Sequence, residues 1–465
     1  MRRILLIASI LFISIASYAG TSGQEVVEHR VKWYESVSSI ARKYGVTVED
    51  ILKYNNLESR DVRSNMILLI PMESLDQAPE PGDDSFPGTE TATDSISVEE
   101  TDIADVQETV PDKVFNSENP MSVSLVLPFG ADTGQPSVNF FDFYSGALMA
   151  LDSIRAKGMS VVLNVFDSKG KSAEELFLDE AFAASDLIIG PVQAEELTPF
   201  AQFAKEHCIP IVSPMDHGAE TLTEGNPYLF QAPASVSVQE SNLIGLLDVT
   251  ENDRVLVIFD SSMREQEYVD RITSLLDNQG IEYQKIGYGL LHGRTLSTSL
   301  KHQLGRSFTY KVIVASQDDA FAPDIVRNMR VLKLFDIPIQ LFCSNRVRNF
   351  ESIDSDSFFE LSTHVCTPYY IDYGSVPVRN FVFRYRALYN TEPTPYSFQG
   401  YDLVSFFVSN IYKASGDFTR NAGSYGGTLM QSNVSFTRND EDCGWQNTAT
   451  RNLVYNPDFT ISVVR

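Results

Sequence analysis

Cysteine is scarce, with four in 465 residues, so disulfides cannot be the scaffold, although an exported chain can still oxidise a pair. Cys343 and Cys366, each closing an apolar stretch in one region, are the best-placed pair, while Cys208 opens the stretch CIPIVSP and reads as a buried thiol. Histidine is equally sparse: six residues, scattered. With no His-Glu-x-x-His or Cys-x-x-Cys spacing, no metal site is expected. Walker loop, Gly-rich dinucleotide turn and Gly-x-Ser-x-Gly elbow are all missing, and the adjacent acids Asp318-Asp319 and Asp440-Glu441-Asp442 read as solvated loop residues. Neither enzyme chemistry nor a cofactor is expected. Lys and Arg total 36 against 62 Asp and Glu, a net charge of −26, and no basic stripe is present to meet nucleic-acid phosphates. Beyond the first twenty residues no apolar run approaches the roughly 18 residues of a membrane-spanning helix.

What is present begins with Arg2 and Arg3 ahead of an apolar run that ends at Ser17-Tyr18-Ala19, a small-x-small site. This predicts a cleaved secretory signal over residues 1–19 and a mature protein in the periplasm or cell envelope.

Between His29 and Pro71 the chain predicts a strand, two amphipathic helices and a closing strand. Ile40, Ala41 and Tyr44 line one helix, Val48, Ile51, Leu52 and Asn55 the next, and Ile67 to Ile70 form an apolar strand stopped by Pro71. Val31, the Ser39–Gly45 helix, the turn Thr47–Leu52, Asn55-Asn56-Leu57 and Leu68–Pro71 together resemble a LysM domain. The resemblance implies binding of N-acetylglucosamine-containing glycan, above all peptidoglycan, through Tyr34, Glu35, Ser36, Asn56 and Leu57. Tyr34-Glu35-Ser36 stands where the family usually has Gly-Asp-Thr, and Asn65 replaces a turn Gly; Asn tolerates the left-handed region better than most residues.

Residues 73–120 carry fourteen Asp and Glu against the single Lys113, about half the net charge, together with Pro79, Pro81, Pro87 and several Thr and Ser. Such a segment lacks apolar period and repels itself, which predicts a disordered acidic linker. Within it, Asp94-Ser95-Ile96 resembles the O-glycosylation sequon of exported Bacteroidota proteins, which makes Ser95 an expected acceptor.

From Met121 apolar strands alternate with amphipathic helices, an α/β pattern. Strands are predicted at 123–127, 160–166, 187–190, 209–213, 254–259, 311–315, 339–343 and 363–368. Helices are predicted at 140–155, 173–184, 195–206, 237–247, 265–279, 295–304, 322–332, 376–389 and 401–414. So many elements require two cores, and strands this apolar are covered on both faces. The phrases Tyr144–Leu151, Asp186–Pro191, Ile209–Pro214, Pro227–Pro233, Val255–Phe259, Phe383–Arg386 and Tyr396–Asp402 resemble a type 1 periplasmic binding protein, the fold of branched-chain amino-acid receptors. The expected fold class is therefore α/β: a small βααβ LysM module, then a two-lobed domain over 121–465 with parallel sheets and three interlobe crossovers. Lobe 1 is expected at about 121–233 and 372–425, lobe 2 at about 237–368 and 428–465.

The resemblance places a ligand at the carboxyl ends of the strands, between the lobes. The family's amino-acid receptors hold the ligand carboxylate with hydroxyls after Gly-Pro and after Ser-Pro; here those places hold Val192-Gln193-Ala194-Glu195 and Met215-Asp216-His217. Acids there disfavour an anionic group. Gln193, Ser213, Asp216, His217, Asp260, Ser261, Ser316, Gln317 and Asn345 are the cleft candidates. Two functions follow as expectations. The first is a non-enzymatic envelope protein that binds peptidoglycan and presents a receptor-like domain to an envelope protein partner or small-molecule ligand. The second is the solute receptor of an ABC importer.

Overall fold

The computed structural model describes residues 25–30, 41, 44, 46–55, 57, 66–72, 113–131, 136–414 and 417–464. The signal segment and Ser95 lie outside these residues, as does most of the acidic stretch. The chain divides into two compact units, Met1–Ala104 and Asp105–Arg465.

In the first unit β1 (Glu25–Arg30) pairs antiparallel with β2 (Ile67–Met72), from Glu25 opposite Met72 to Arg30 opposite Ile67. The opening strand is described from Glu25 to Arg30, and the expected Val31 lies outside the described residues. Ala41 and Tyr44 are helical, and α1 (Val48–Tyr54) begins at Thr47, whose hydroxyl accepts the Asp50 N–H at 3.2 Å. Ala41, Ile51, Leu68 and Ile70 are buried together. Asn55 ties helix to strand: its amide donates to Ile51 O and to Leu69 O, both at 2.8 Å, and its Oδ1 accepts the Leu69 N–H at 2.8 Å. One side chain thereby serves both backbone groups of Leu69, as a neighbouring strand would. With four buried apolar residues among the module's described residues, the loss should be felt. Asn55→Ala is expected to cost about 2 kcal/mol and so raise amide exchange across residues 66–72 of the full chain about thirtyfold. Unchanged exchange would show that Asn55 does not hold the module.

The second unit is built on two sheets. Its strands are β3 (Met121–Leu127), β4 (Val161–Asp167), β5 (Leu187–Ile189), β6 (Ile211–Ser213), β7 (Leu229–Gln231), β8 (Asp253–Asp260), β9 (Tyr283–Tyr288), β10 (Thr309–Val314), β11 (Ile339–Phe342), β12 (His364–Thr367), β13 (Gly426–Thr428), β14 (Asn433–Thr437), β15 (Trp445–Asn447), β16 (Arg451–Tyr455) and β17 (Ile461–Val464). Its long helices are α2 (Val138–Arg155), α3 (Ala194–Glu206), α4 (Val236–Gly245), α5 (Gln266–Asn278), α6 (Gly293–Gln303), α7 (Phe321–Lys333), α8 (Val376–Tyr389) and α9 (Pro395–Ala414). One sheet runs β13-β14-β15-β7-β6-β5-β3-β4 and the other β17-β16-β12-β11-β10-β8-β9. Pairing is parallel from β15 to β4 and from β12 to β9, and antiparallel at the β13-β14-β15 and β12-β16-β17 ends. The short central strands β5 and β6 are buried throughout, since helices cover both faces. The chain crosses between the sheets three times: after β7, after β12 and between β15 and β16.

Several expectations are corrected. Residues 113–120 do not belong to a linker, because Phe115 is buried in the first core and stacks at 5.6 Å on Tyr412. Lobe 2 does not resume at 428: β14 and β15 extend the first sheet, with Phe436 and Trp445 packed around Phe230, and the return starts at Arg451. The helix expected over 173–184 breaks at Leu178, because Asp179 turns its carboxylate onto the N–H of Ala181 at 2.9 Å and starts a new turn. Cys343 and Cys366 sit on the neighbouring strand ends of β11 and β12 as free thiols, with Cys366 donating to Asn452 at 3.2 Å. Cys208 is exposed rather than buried, in a turn with φ of 55° that precedes β6.

Candidate functional site

In the first unit Tyr34, Glu35, Ser36 and Asn56 lie outside the described residues. Leu57 packs against the small core and donates its N–H to Leu52 O at 2.9 Å. Sequence reasoning missed His29, which is 5% exposed. Its Nδ1 lies 2.9 Å from the Tyr44 hydroxyl and its ring meets Tyr44 edge-on at 5.4 Å, pinning β1 to the helical residues.

In the second unit the cleft candidates stand where the parallel strands end. On the first sheet, Gly190 follows β5 at φ 101°, where a Cβ would sit 2.0 Å from Val126 O, so only glycine fits. Gln193 starts α3, exposed, with no side-chain capping bond. After β6, Asp216 accepts the Gly218 N–H at 2.7 Å, and His217 Nδ1 lies 3.0 Å from Ala234 O. Ser213 is fully buried, and its Oγ has no hydrogen-bond partner among the described residues. Its register partner Gln231 donates to His217 O at 3.0 Å, yet leaves Oε1 equally unpartnered.

On the second sheet the strand ends are already occupied. Asp260 folds onto its own turn, accepting the Ser262 N–H at 2.9 Å and its hydroxyl at 2.6 Å. Ser261 is exposed and donates its N–H to Tyr288 O at 3.0 Å. Ser316 Oγ donates to Glu265 Oε2, and the Gln317 N–H donates to Glu265 Oε1 at 2.8 Å. Glu265 therefore presents an internal carboxylate to two converging donors beyond β10. Asn345 Oδ1 accepts from Arg348 at 3.4 Å. Glu265 escaped sequence reasoning because it precedes α5 as an ordinary capping acid would; its side chain makes no bond to that helix and reaches across to the neighbouring strand instead. On α4, Glu240 is buried and held bidentately by Arg271 of α5 at 3.0 and 3.1 Å.

The crossings between these halves are cross-braced. Gln399 donates to Pro214 O at 2.8 Å and to the Tyr369 hydroxyl at 3.1 Å, and Tyr369 itself donates to Pro214 O at 3.4 Å. Burial pushes the Tyr369 phenol well above its ordinary range, so it stays a neutral donor. The turn before β14 is gripped from both sides. Asp402 on α9 accepts the N–H groups of Met430 and Gln431 at 3.0 and 2.9 Å, while Arg451 donates to Leu429 O and Ser432 O at 2.5 and 3.2 Å. Burial pushes Asp402 up to about 6, against the pull of those N–H groups and of Arg451. Tyr370 N–H reaches Gln431 O at 2.8 Å, tying the crossing after β12 to the turn before β14, and Asn447 donates to Ala232 O at 2.8 Å, tying the third crossing to the first.

Among the described residues no group of three or more His, Cys, Asp or Glu could hold a metal ion, and no helix is long and apolar enough to cross a membrane.

Residues 29–71 match the LysM domain family. By sequence, no curated protein matches the chain. In structure the chain is similar to a branched-chain amino acid ABC transporter protein from Rhodospirillum rubrum, at 15% identity and a TM-score of 0.53, over 74% of this chain and all of that one. It is likewise similar to an ABC-type branched-chain amino acid transporter protein from Rhodopseudomonas palustris, at 15% identity and a TM-score of 0.50, over 74% of this chain and 95% of that one. At such identity the likeness establishes the fold: a LysM domain followed by a two-lobed type 1 periplasmic binding protein fold.

Proposed function

We propose that this is an exported, non-enzymatic cell-envelope protein that binds peptidoglycan through residues 29–71 and uses its two-lobed domain for protein interaction rather than for capture of amino acids. Glu265 carries the second half of this proposal. Its carboxylate already takes the Ser316 hydroxyl and the Gln317 N–H, so these donors at the end of β10 are engaged within the fold and not open to a ligand. On the facing half, Asp216 adds negative charge of its own, which repels an anionic ligand.

The solute receptor of an ABC importer is the second reading. The unpartnered acceptors Ser213 Oγ and Gln231 Oε1 favour it, since buried polar atoms normally find a partner.

Two measurements separate these functions. Purified sacculi should sediment the mature protein and not a version lacking residues 20–72; equal sedimentation removes the anchoring role. Leucine, isoleucine, valine and the acidic amino acids should give no calorimetric signal at millimolar concentration. Micromolar binding of any of them, lost in Gln193→Ala or Asp216→Ala, would establish the receptor instead.

A further inference from the structure

The outer face of α8 exposes apolar side chains that nothing covers among the described residues. The helix is well defined at both ends, with Pro377 in its first turn and Asn390 closing it at φ 53°. One face, Val378, Phe381, Val382 and Tyr385, packs on Met149 and Phe398. On the opposite side Val376, Asn380, Phe383 and Ala387 follow at the i, i+4, i+7, i+11 spacing of a second helix face, and all are exposed, Val376 by 58% and Phe383 by 65%. A surface helix needs only one apolar face for its own core.

Charge indicates what covers the other. The helix VPVRNFVFRYRALY holds three arginines and no acid, in a chain of net charge −26. Arg384 is paired with Asp152, and Arg386 with Glu392 at 2.7 Å. The nearby Asp372 caps the Gly374 N–H at 2.9 Å. Arg379, one turn from both Val376 and Phe383, is exposed and makes no ion pair among the described residues. A second copy of α8 offers it no carboxylate. One free arginine is also too little to hold an anionic lipid surface, where each basic residue contributes only about 1 kcal/mol.

We propose that α8 is a docking surface for an acidic amphipathic helix of a partner protein, whose apolar side covers Val376 and Phe383 and whose carboxylate pairs with Arg379. This rests on the interaction role proposed above and names its surface.

A photo-reactive residue placed at Asn380 of the full chain, in its own cells, tests it. The expected adduct is one protein other than this chain, cross-linked through a helix that carries Asp or Glu beside apolar residues. The double variant Phe383→Asp, Arg379→Glu should lower the adduct at least about tenfold, as loss of central aromatic and arginine contacts does, with unchanged thermal melting because both sites are exposed. Replacing the partner's acid by arginine should restore the adduct to Arg379→Glu. Adducts only with lipid or with a second copy, or adducts indifferent to Arg379→Glu, overturn the proposal. Cross-linking elsewhere on the domain with none at Asn380 overturns this surface while leaving the interaction role standing; micromolar amino-acid binding overturns that role itself.

Discussion

Gly400→Ala is expected to destabilise the two-lobed domain by about 3 kcal/mol, at the upper end of what overpacking costs. At the crossing of α2 and α9, a Cβ on Gly400 would lie 2.0 Å from Phe143 O, and one on Gly146 would lie 1.9 Å from Ser397 O. The two glycines thus let each helix press against the other's backbone. The obstructing atoms are carbonyl groups, which no rotamer change can move. To make room, the helices must separate and loosen Phe143, Ala147, Leu403 and Phe407 in the main core of the first lobe. Urea unfolding of the full chain measures this directly, and a loss under about 1 kcal/mol would mean that the crossing is loose enough to absorb a methyl group.

Asp402→Ala should cost about as much at neutral pH, on the order of 3 kcal/mol, because it leaves the N–H groups of Met430 and Gln431 without their acceptor and removes the carboxylate whose charge offsets the buried Arg451. The pH dependence has a definite sign. Asp402 is raised to about 6 from an ordinary 3.8, so its contribution to stability is fully present below the unfolded value and is lost as pH rises through about 6. Between pH 7 and pH 5 the wild-type protein should therefore gain about 1 kcal/mol relative to Asp402→Asn. A difference between the two that stays constant over this window would mean that Asp402 titrates as an ordinary carboxyl.

The strands legible in the sequence were those where burial on both faces leaves a continuous apolar run, such as Val123–Leu127 and Val255–Phe259. The helix 376–389 was legible to the residue because its stop, Asn390, and its early Pro377 are strong local signals. What escaped was decided by tertiary pairing. β9, YQKIGY, is an edge strand with Gln284, Lys285 and Gly287 exposed, so its alternation is diluted. β13 to β15 are short and partly polar, and they join the first sheet only because Trp445 and Phe436 find Phe230. Most of the cleft candidates do lie at the strand ends, but the sequence could not say that Glu265 reaches Ser316, fifty-one positions away. Such partnerships depend on how β8 and β10 lie side by side, which no local pattern encodes.

Glu265 bears on dose as well as on chemistry. A carboxylate fixed within its own lobe faces the Ser316 and Gln317 donors at an effective concentration of millimolar or above, and it cannot be washed away. A solute would have to displace it before it could bind those donors, so occupancy there would be set by the fold rather than by the abundance of nutrients outside the cell.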